Sequence, residues 1–192
     1  MTKRICVYCS SSDAVDEEFF QCAEQLGRAI GENGWELIYG GATVGLMGHV
    51  AHVTQKAGGK VIGVIPEALR HIENKLVDEL VVCKDLRERK AVMEDRATAF
   101  VALPGGFGTL DEVAEIITHK QLGFHDKAVV LLNVAGFYDH LAAFFESLLT
   151  RKFAKEDFRD FYHFAPSASS AVRYLEDYKP PEAKSKWFEG ER

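Results

Sequence analysis

The chain has 192 residues, 47% of them hydrophobic and 27% charged, with a formal net charge of −6. That length suits one domain with a substantial core, and the acidic balance argues against nonspecific nucleic-acid binding while leaving room for a locally basic pocket for one small anion. No apolar run reaches membrane-spanning length and Met1-Thr2-Lys3-Arg4 leads into a strand-like run rather than a signal segment, so the sequence reads as cytoplasmic, with no membrane partner.

Short β-like runs alternate with helical ones. Residues 5–9 read as a strand, 17–32 as a helix, 35–39 as a strand and 45–57 as a helix. A strand over 60–65 ends at Pro66, another covers 79–83, and a helix over 86–96 separates it from a strand over 98–103. A helix over 112–121, a strand over 128–133, a helix over 137–149, a weak strand over 162–164 and a helix over 167–178 complete the pattern. Such alternation predicts an α/β fold: a doubly wound parallel sheet with helices on both faces, in a single domain over residues 1–178. Ligands then bind at the carboxyl ends of the strands. From Lys179 the charged, Pro-containing segment to 192 reads as a loose tail.

The run Pro104-Gly105-Gly106-Phe107-Gly108-Thr109-Leu110-Asp111-Glu112 follows the apolar Phe100-Val101-Ala102-Leu103 and precedes a helical stretch. Strand, glycine loop and helix start together make a phosphate site: glycines let backbone N–H groups approach an anion, and the helix N-terminus adds unpaired donors and partial positive charge. Glu112 beside such a cradle is electrostatically odd for binding alone and points to chemistry on a phosphate-bearing molecule. Thr109-x-x-Glu112 also reads as a capping box, which would explain both residues structurally. A second glycine loop, Gly40-Gly41-Ala42-Thr43-Val44-Gly45-Leu46-Met47-Gly48, follows the strand at 35–39. Neither loop is a Walker loop or a complete G-x-G-x-x-G after the first strand, yet two at strand ends of one small sheet point to a shared cleft. Ser10-Ser11-Ser12-Asp13 is placed to add hydroxyl donors to it, and at least one of these serines reads as a plain helix N-cap.

Arg89 and Lys90 interrupt a stripe formed by Leu86, Met93 and Ala97. They read as snorkelling cations, as an Asp85–Arg89 pair at i,i+4, or as a guanidinium presented to an anion. Glu115 and His119 continue the Glu112 face, where the plain reading is solvated polar residues. Cys6-Val7-Tyr8-Cys9 is a C-x-x-C whose spacing on a strand sends the two thiols to opposite faces, and no second C-x-x-C completes a zinc site. No metal and no cofactor are expected.

Glu88-Arg89-Lys90-x-x-Met93 followed by Pro104-Gly105-Gly106-x-Gly108-Thr109-x-x-Glu112 resembles the Lonely Guy family, the cytokinin riboside 5′-monophosphate phosphoribohydrolases long misannotated as lysine decarboxylases. The resemblance runs from about Ile5 to Tyr178 and takes in Cys6-Val7-Tyr8-Cys9, both glycine loops, Gln121-Leu122-Gly123-x-x-Asp126-Lys127 and Leu132-Asn133-Val134-x-Gly136-Phe137-Tyr138. Ser10 departs from the family's usual glycine. The resemblance implies a Rossmann-like fold, a homodimer with its site near the subunit interface, and hydrolysis of an adenosine 5′-monophosphate, N6-substituted or plain, to base and ribose 5-phosphate. It implies Arg89 and Glu112 as the catalytic pair. Gly105, Gly106, Gly108 and Thr109 would hold the 5′-phosphate, with Pro104, Ser11, Gly41, Gly45, Met47, Lys90, Met93 and Glu115 as further substrate-binding positions. A nucleotide-binding carrier of the same fold without hydrolysis is the alternative. A lysine decarboxylase fits poorly, since nothing marks a Schiff-base lysine or its phosphate cup.

Overall fold

The computed structural model describes residues 2–181, so most of the expected tail, 182–192, lies outside the described residues. Seven strands, β1 (Arg4–Tyr8), β2 (Glu36–Tyr39), β3 (Lys60–Pro66), β4 (Glu79–Cys83), β5 (Ala99–Ala102), β6 (Ala128–Leu132) and β7 (His163–Ala165), form one sheet in the order β4-β3-β2-β1-β5-β6-β7. Every pairing is parallel; in the centre Ile5 lies opposite Leu37 on one side and Ala99 on the other. Ile5 and Val7 enter one apolar layer, Cys6 and Tyr8 the other, the pattern of strands covered on both faces.

Helices α1 (Glu17–Glu32), α2 (Gly45–Lys56) and α6 (Ala168–Asp177) pack on the first face, and α3 (Leu86–Arg96), α4 (Phe107–Gln121) and α5 (Asp139–Thr150) on the second. In α1, Cys22, Ala23, Leu26 and Ile30 recur at helical spacing and are buried, while its first turn carries Glu17 and Glu18 at the favourable end of the dipole. Truncating Leu26, fully buried, to alanine would cost about 2–5 kcal/mol.

The doubly wound parallel sheet is the expected one, and most boundaries differ from expectation by a residue or two. Helix α4 is the exception. It starts at Phe107 rather than 112, with Gly106 as its N-cap; Gly108 is a poor helix former and hides this first turn from the sequence pattern. Two 3-10 turns, Glu67–Ile72 and Glu156–Phe161, had no periodic signature; the second is held by Phe158 and Phe161, packed with Leu149. Leu86 leaves the stripe expected for it: as the first residue of α3 it is exposed, whereas Met93 and Ala97 are buried. No helix among the described residues is long and apolar enough to cross a membrane.

Candidate active site

Strand order reverses between β1 and β5, whose following helices, α1 and α4, lie on opposite faces. That divergence opens a crevice at the carboxyl edge of the sheet. Three loops meet there in backbone contact. Ser10 N–H donates to the Pro104 carbonyl at 3.2 Å, and Gly45 N–H donates to Asp13 Oδ1 at 2.9 Å. Gly45 has φ +58°, and a Cβ on it would lie 2.5 Å from the Ser11 carbonyl carbon, so only glycine permits this approach. Ser10 and Ser12 do not cap α1, whose N-cap is Asp16. Instead Ser10 Oγ accepts from Ser12 N–H at 3.0 Å and Ser12 Oγ from Ala14 N–H at 3.1 Å. The Ser10 hydroxyl oxygen thus helps turn its own loop as an acceptor.

A cavity of about 160 Å³ lies at this junction, lined by Cys9, Ser11, Met47, Leu86, Arg89, Lys90, Gly108, Thr109, Asp111 and Glu112. Its floor includes the first turn of α4, where no side chain caps the helix. The first N–H groups of a helix have no intrahelical acceptor, so this turn offers donors and positive potential to an anion. Gly105 is required by contact: a Cβ there would fall 2.1 Å from Thr109 Oγ1.

Arg89 reaches across from α3 so that its Nη2 donates to Glu112 Oε1 at 2.5 Å, with both side chains mostly buried. Gly40 makes room for it, since a Cβ would lie 2.9 Å from Met47 Sδ and 3.1 Å from Arg89 Nη2. Arg89 Nε is buried with no acceptor. Burial pushes the Glu112 carboxyl up to about 7, even though the Arg89 guanidinium pulls the other way.

The capping-box reading of Thr109 and Glu112 does not hold. Thr109 is the third residue of α4, two positions inside the N-terminus, so it cannot be the cap. A box-like arrangement starts α3 instead: Asp85 Oδ1 accepts from the N–H groups of Arg87 and Glu88, both at 2.9 Å, and Glu88 Oε2 accepts from Lys84 N–H at 2.6 Å. Asp85 is therefore engaged with backbone, and Arg89 is paired to Glu112.

Lys90 donates to Asp111 Oδ2 at 2.9 Å and to Glu115. Burial works against its charge, but Glu115 and Asp111 outweigh it and hold the ammonium above its ordinary pKa. Glu115 serves Lys90 rather than the cavity wall. His119 Nδ1 lies 2.8 Å from Glu94 Oε2, tying α4 to α3. Met93 is fully buried in the core and backs the site without lining it, because it lies on the sheet-facing side of α3. Gly41, at φ +75°, packs against β3, and its carbonyl accepts from Asn74 N–H at 2.8 Å. Gly45 and Pro104 act through loop contacts.

Cys9, Leu86 and Asp111 line the cavity although the motif reading passed over them. Leu86 was legible as the residue three before Arg89 on one helix. Cys6 and Cys9 do face opposite layers, and all four cysteines are free and buried. Burial raises the Cys9 thiol far above its ordinary pKa, which keeps it protonated. Among the described residues no three His, Cys, Asp or Glu side chains are placed to hold one metal ion.

A protein-family profile described as "Possible lysine decarboxylase" matches residues 47–175. The chain is 44% identical over 180 residues to the cytokinin riboside 5′-monophosphate phosphoribohydrolase LOG of Oryza sativa subsp. japonica, covering 93% of this chain and 74% of that protein. It is 41% identical over 191 residues to a protein of the same activity name from Arabidopsis thaliana, covering 96% and 84%. Among solved structures, the molybdenum cofactor binding protein of Rippkaea orientalis superposes with a TM-score of 0.73 at 26% identity, over 92% of this chain and 96% of that one. The molybdenum cofactor carrier protein of Chlamydomonas reinhardtii gives the same score and identity, over 92% and 97%.

Proposed function

The chain belongs to the family of cytokinin riboside 5′-monophosphate phosphoribohydrolases, and we propose that it hydrolyses the N-glycosidic bond of an adenosine 5′-monophosphate, N6-substituted or plain, to free base and ribose 5-phosphate. The observation that carries this reading is the Arg89–Glu112 pair set beside an uncapped helix N-terminus.

The 5′-phosphate sits on the first turn of α4, over Gly108 and Thr109, with Gly105 and Gly106 allowing close approach. Glu112 follows Gly108 by four residues and Thr109 by three, about 4.5–6 Å along the axis at 1.5 Å per residue. That offset places the carboxylate beside the sugar, about one helical turn from the phosphate. As the C1′–N bond breaks, its electron pair leaves with the purine and positive charge grows on the ribose. Ionised Glu112 faces that charge and orients the water that adds to C1′, whose displaced proton ends on the base. Arg89 neutralises the anions and holds Glu112 in place. The phosphate supplies remote binding energy that fixes the ribose for reaction.

At about 160 Å³ the cavity is smaller than the ~300–1,000 Å³ of pockets that enclose drug-sized ligands, so it encloses the phosphoribosyl end. Leu86 also lines an adjoining open groove of about 490 Å³ with Pro66, Ala68 and Leu69. We place the base and any apolar N6 substituent there.

The test is incubation with AMP, an N6-prenylated AMP and adenosine, without added metal, followed by chromatography for free base and ribose 5-phosphate. Both nucleotides should be cleaved and adenosine far more slowly; equal turnover of AMP and adenosine would remove the phosphate-anchoring argument. The likeness to molybdenum cofactor carriers favours a second reading, a nucleotide-binding carrier without hydrolysis. Tight nucleotide binding with no base released would select it.

We further propose a homodimer. On α5, Phe145 packs against Tyr162 and Phe164 while its neighbour Phe144 is exposed, and Leu86, Phe107 and Leu110 are exposed beside the cavity. Light scattering should give twice the chain mass at micromolar concentration; a monomer mass refutes it. A cytoplasmic setting with no nucleic-acid partner completes the reading.

A further inference from the structure

The segment Asn133-Val134-Ala135-Gly136-Phe137-Tyr138 takes no part in the chemistry above, yet its backbone is unusual. Ala135 has φ +52° and Gly136 φ +71°, and left-handed alanine is uncommon. Asn133 organises the turn. Its N–H donates to the Ala165 carbonyl at 2.8 Å, its Oδ1 accepts from Tyr138 N–H at 2.7 Å, and its Nδ2 donates to Asp139 Oδ1 at 2.7 Å. The turn drives the Tyr138 ring inward, where it is buried and its hydroxyl donates to the Leu103 carbonyl at 2.8 Å.

Leu103 is the residue between β5 and the phosphate loop. Its N–H is already held by the Tyr8 carbonyl at 2.9 Å, and the carbonyl of the next residue, Pro104, accepts from Ser10 N–H at 3.2 Å. The exit from β5 is thus gripped from β1, from the first loop and from Tyr138, immediately before Gly105. Burial keeps the phenol protonated and therefore a constant donor.

We propose that Tyr138 is a positioning residue for the phosphate loop: its hydroxyl fixes the Leu103 carbonyl, and through it the placement of Gly105, Gly106 and the first turn of α4 against the 5′-phosphate. The inference rests on the phosphoribohydrolase reading for the identity of the anion. Small displacements of a binding loop matter because backbone N–H groups hold an anion only within the narrow distance and angle range of a hydrogen bond. A buried carbonyl left without its donor also drives local rearrangement.

Tyr138→Phe removes one oxygen and keeps the ring. Calorimetry with ribose 5-phosphate should show its Kd raised about tenfold or more at unchanged stoichiometry, with KM for AMP rising in parallel and kcat changing less. A merely structural role would instead lower the stoichiometry at parental Kd. Asn133→Ser, which leaves the phenol but frees its backbone, should move the same constants in the same direction by less, and it decides the matter if Tyr138→Phe does not fold. Parental Kd in a folded variant overturns the proposal. Because calorimetry needs no turnover, parental protein that binds ribose 5-phosphate but releases no base would defeat the hydrolase reading while leaving this one standing.

Discussion

Arg89 Nη2 lies 2.5 Å from Glu112 Oε1, yet the Glu112 carboxyl titrates near neutrality rather than deep in the acid range. Burial outweighs the guanidinium beside it, which is the reverse of an exposed ion pair. A buried pair of this kind is weak support for stability. Its placement against the cavity and the uncapped start of α4 is what suits it to chemistry on a phosphorylated sugar.

The raised carboxyl sets a pH dependence. If ionised Glu112 is the active form, kcat/KM for AMP rises with pH through about 7 and levels above it. Bound phosphate adds a nearby negative charge, so the corresponding limb in kcat lies at higher pH than in kcat/KM. Stability runs the other way. Between about 4.5 and 7 the folded chain holds a proton that the unfolded chain has lost, so this group's contribution is present below 4.5 and is lost as pH rises through 7. Denaturant titrations across that window should show a falling component that Glu112→Gln removes.

Gly105 and Thr109 should couple. A methyl at 105 would meet Thr109 Oγ1 at 2.1 Å, so Gly105→Ala should cost about 1–3 kcal/mol and displace the phosphate loop. Thr109→Ala should cost little helix stability, since Thr109 is not the cap, but should raise KM for AMP. The double variant should recover part of the stability lost by Gly105→Ala. Strict additivity in a double-mutant cycle would contradict the contact.

Much of the fold is legible in the sequence. Alternating periodicity predicted the parallel sheet because its buried strands are continuous apolar runs such as Val129-Val130-Leu131-Leu132. Arg89 and Glu112 were legible through their motifs. Their alternative explanations were not separable, because a capping box and an i,i+4 pair depend on where a helix starts, and glycines hide that point. Met93 and Gly41 shared motifs with site residues but serve packing, since one face of a helix and one side of a loop must meet the sheet. Tyr138 was invisible as a contact of Leu103 because the two are 35 residues apart.

Cys6 and Cys9 should be dispensable for turnover, although Cys9 lines the cavity. Their thiols are held protonated by burial in the apolar layers on opposite faces of the sheet. The Cys6→Ser, Cys9→Ser double variant should lose stability, because hydroxyls are placed in apolar layers, and retain kcat in its folded fraction. Complete loss of turnover in well-folded protein would assign the pair a chemical role.

The most direct measurement is turnover of AMP by Glu112→Gln alongside its melting curve. Glutamine keeps the shape and an acceptor for Arg89 but removes the negative charge facing the developing cation. The expected result is a melting temperature close to the parent with turnover reduced roughly 10²-fold or more. Near-parental turnover in the folded variant would contradict the account and leave Glu112 a structural partner of Arg89 alone.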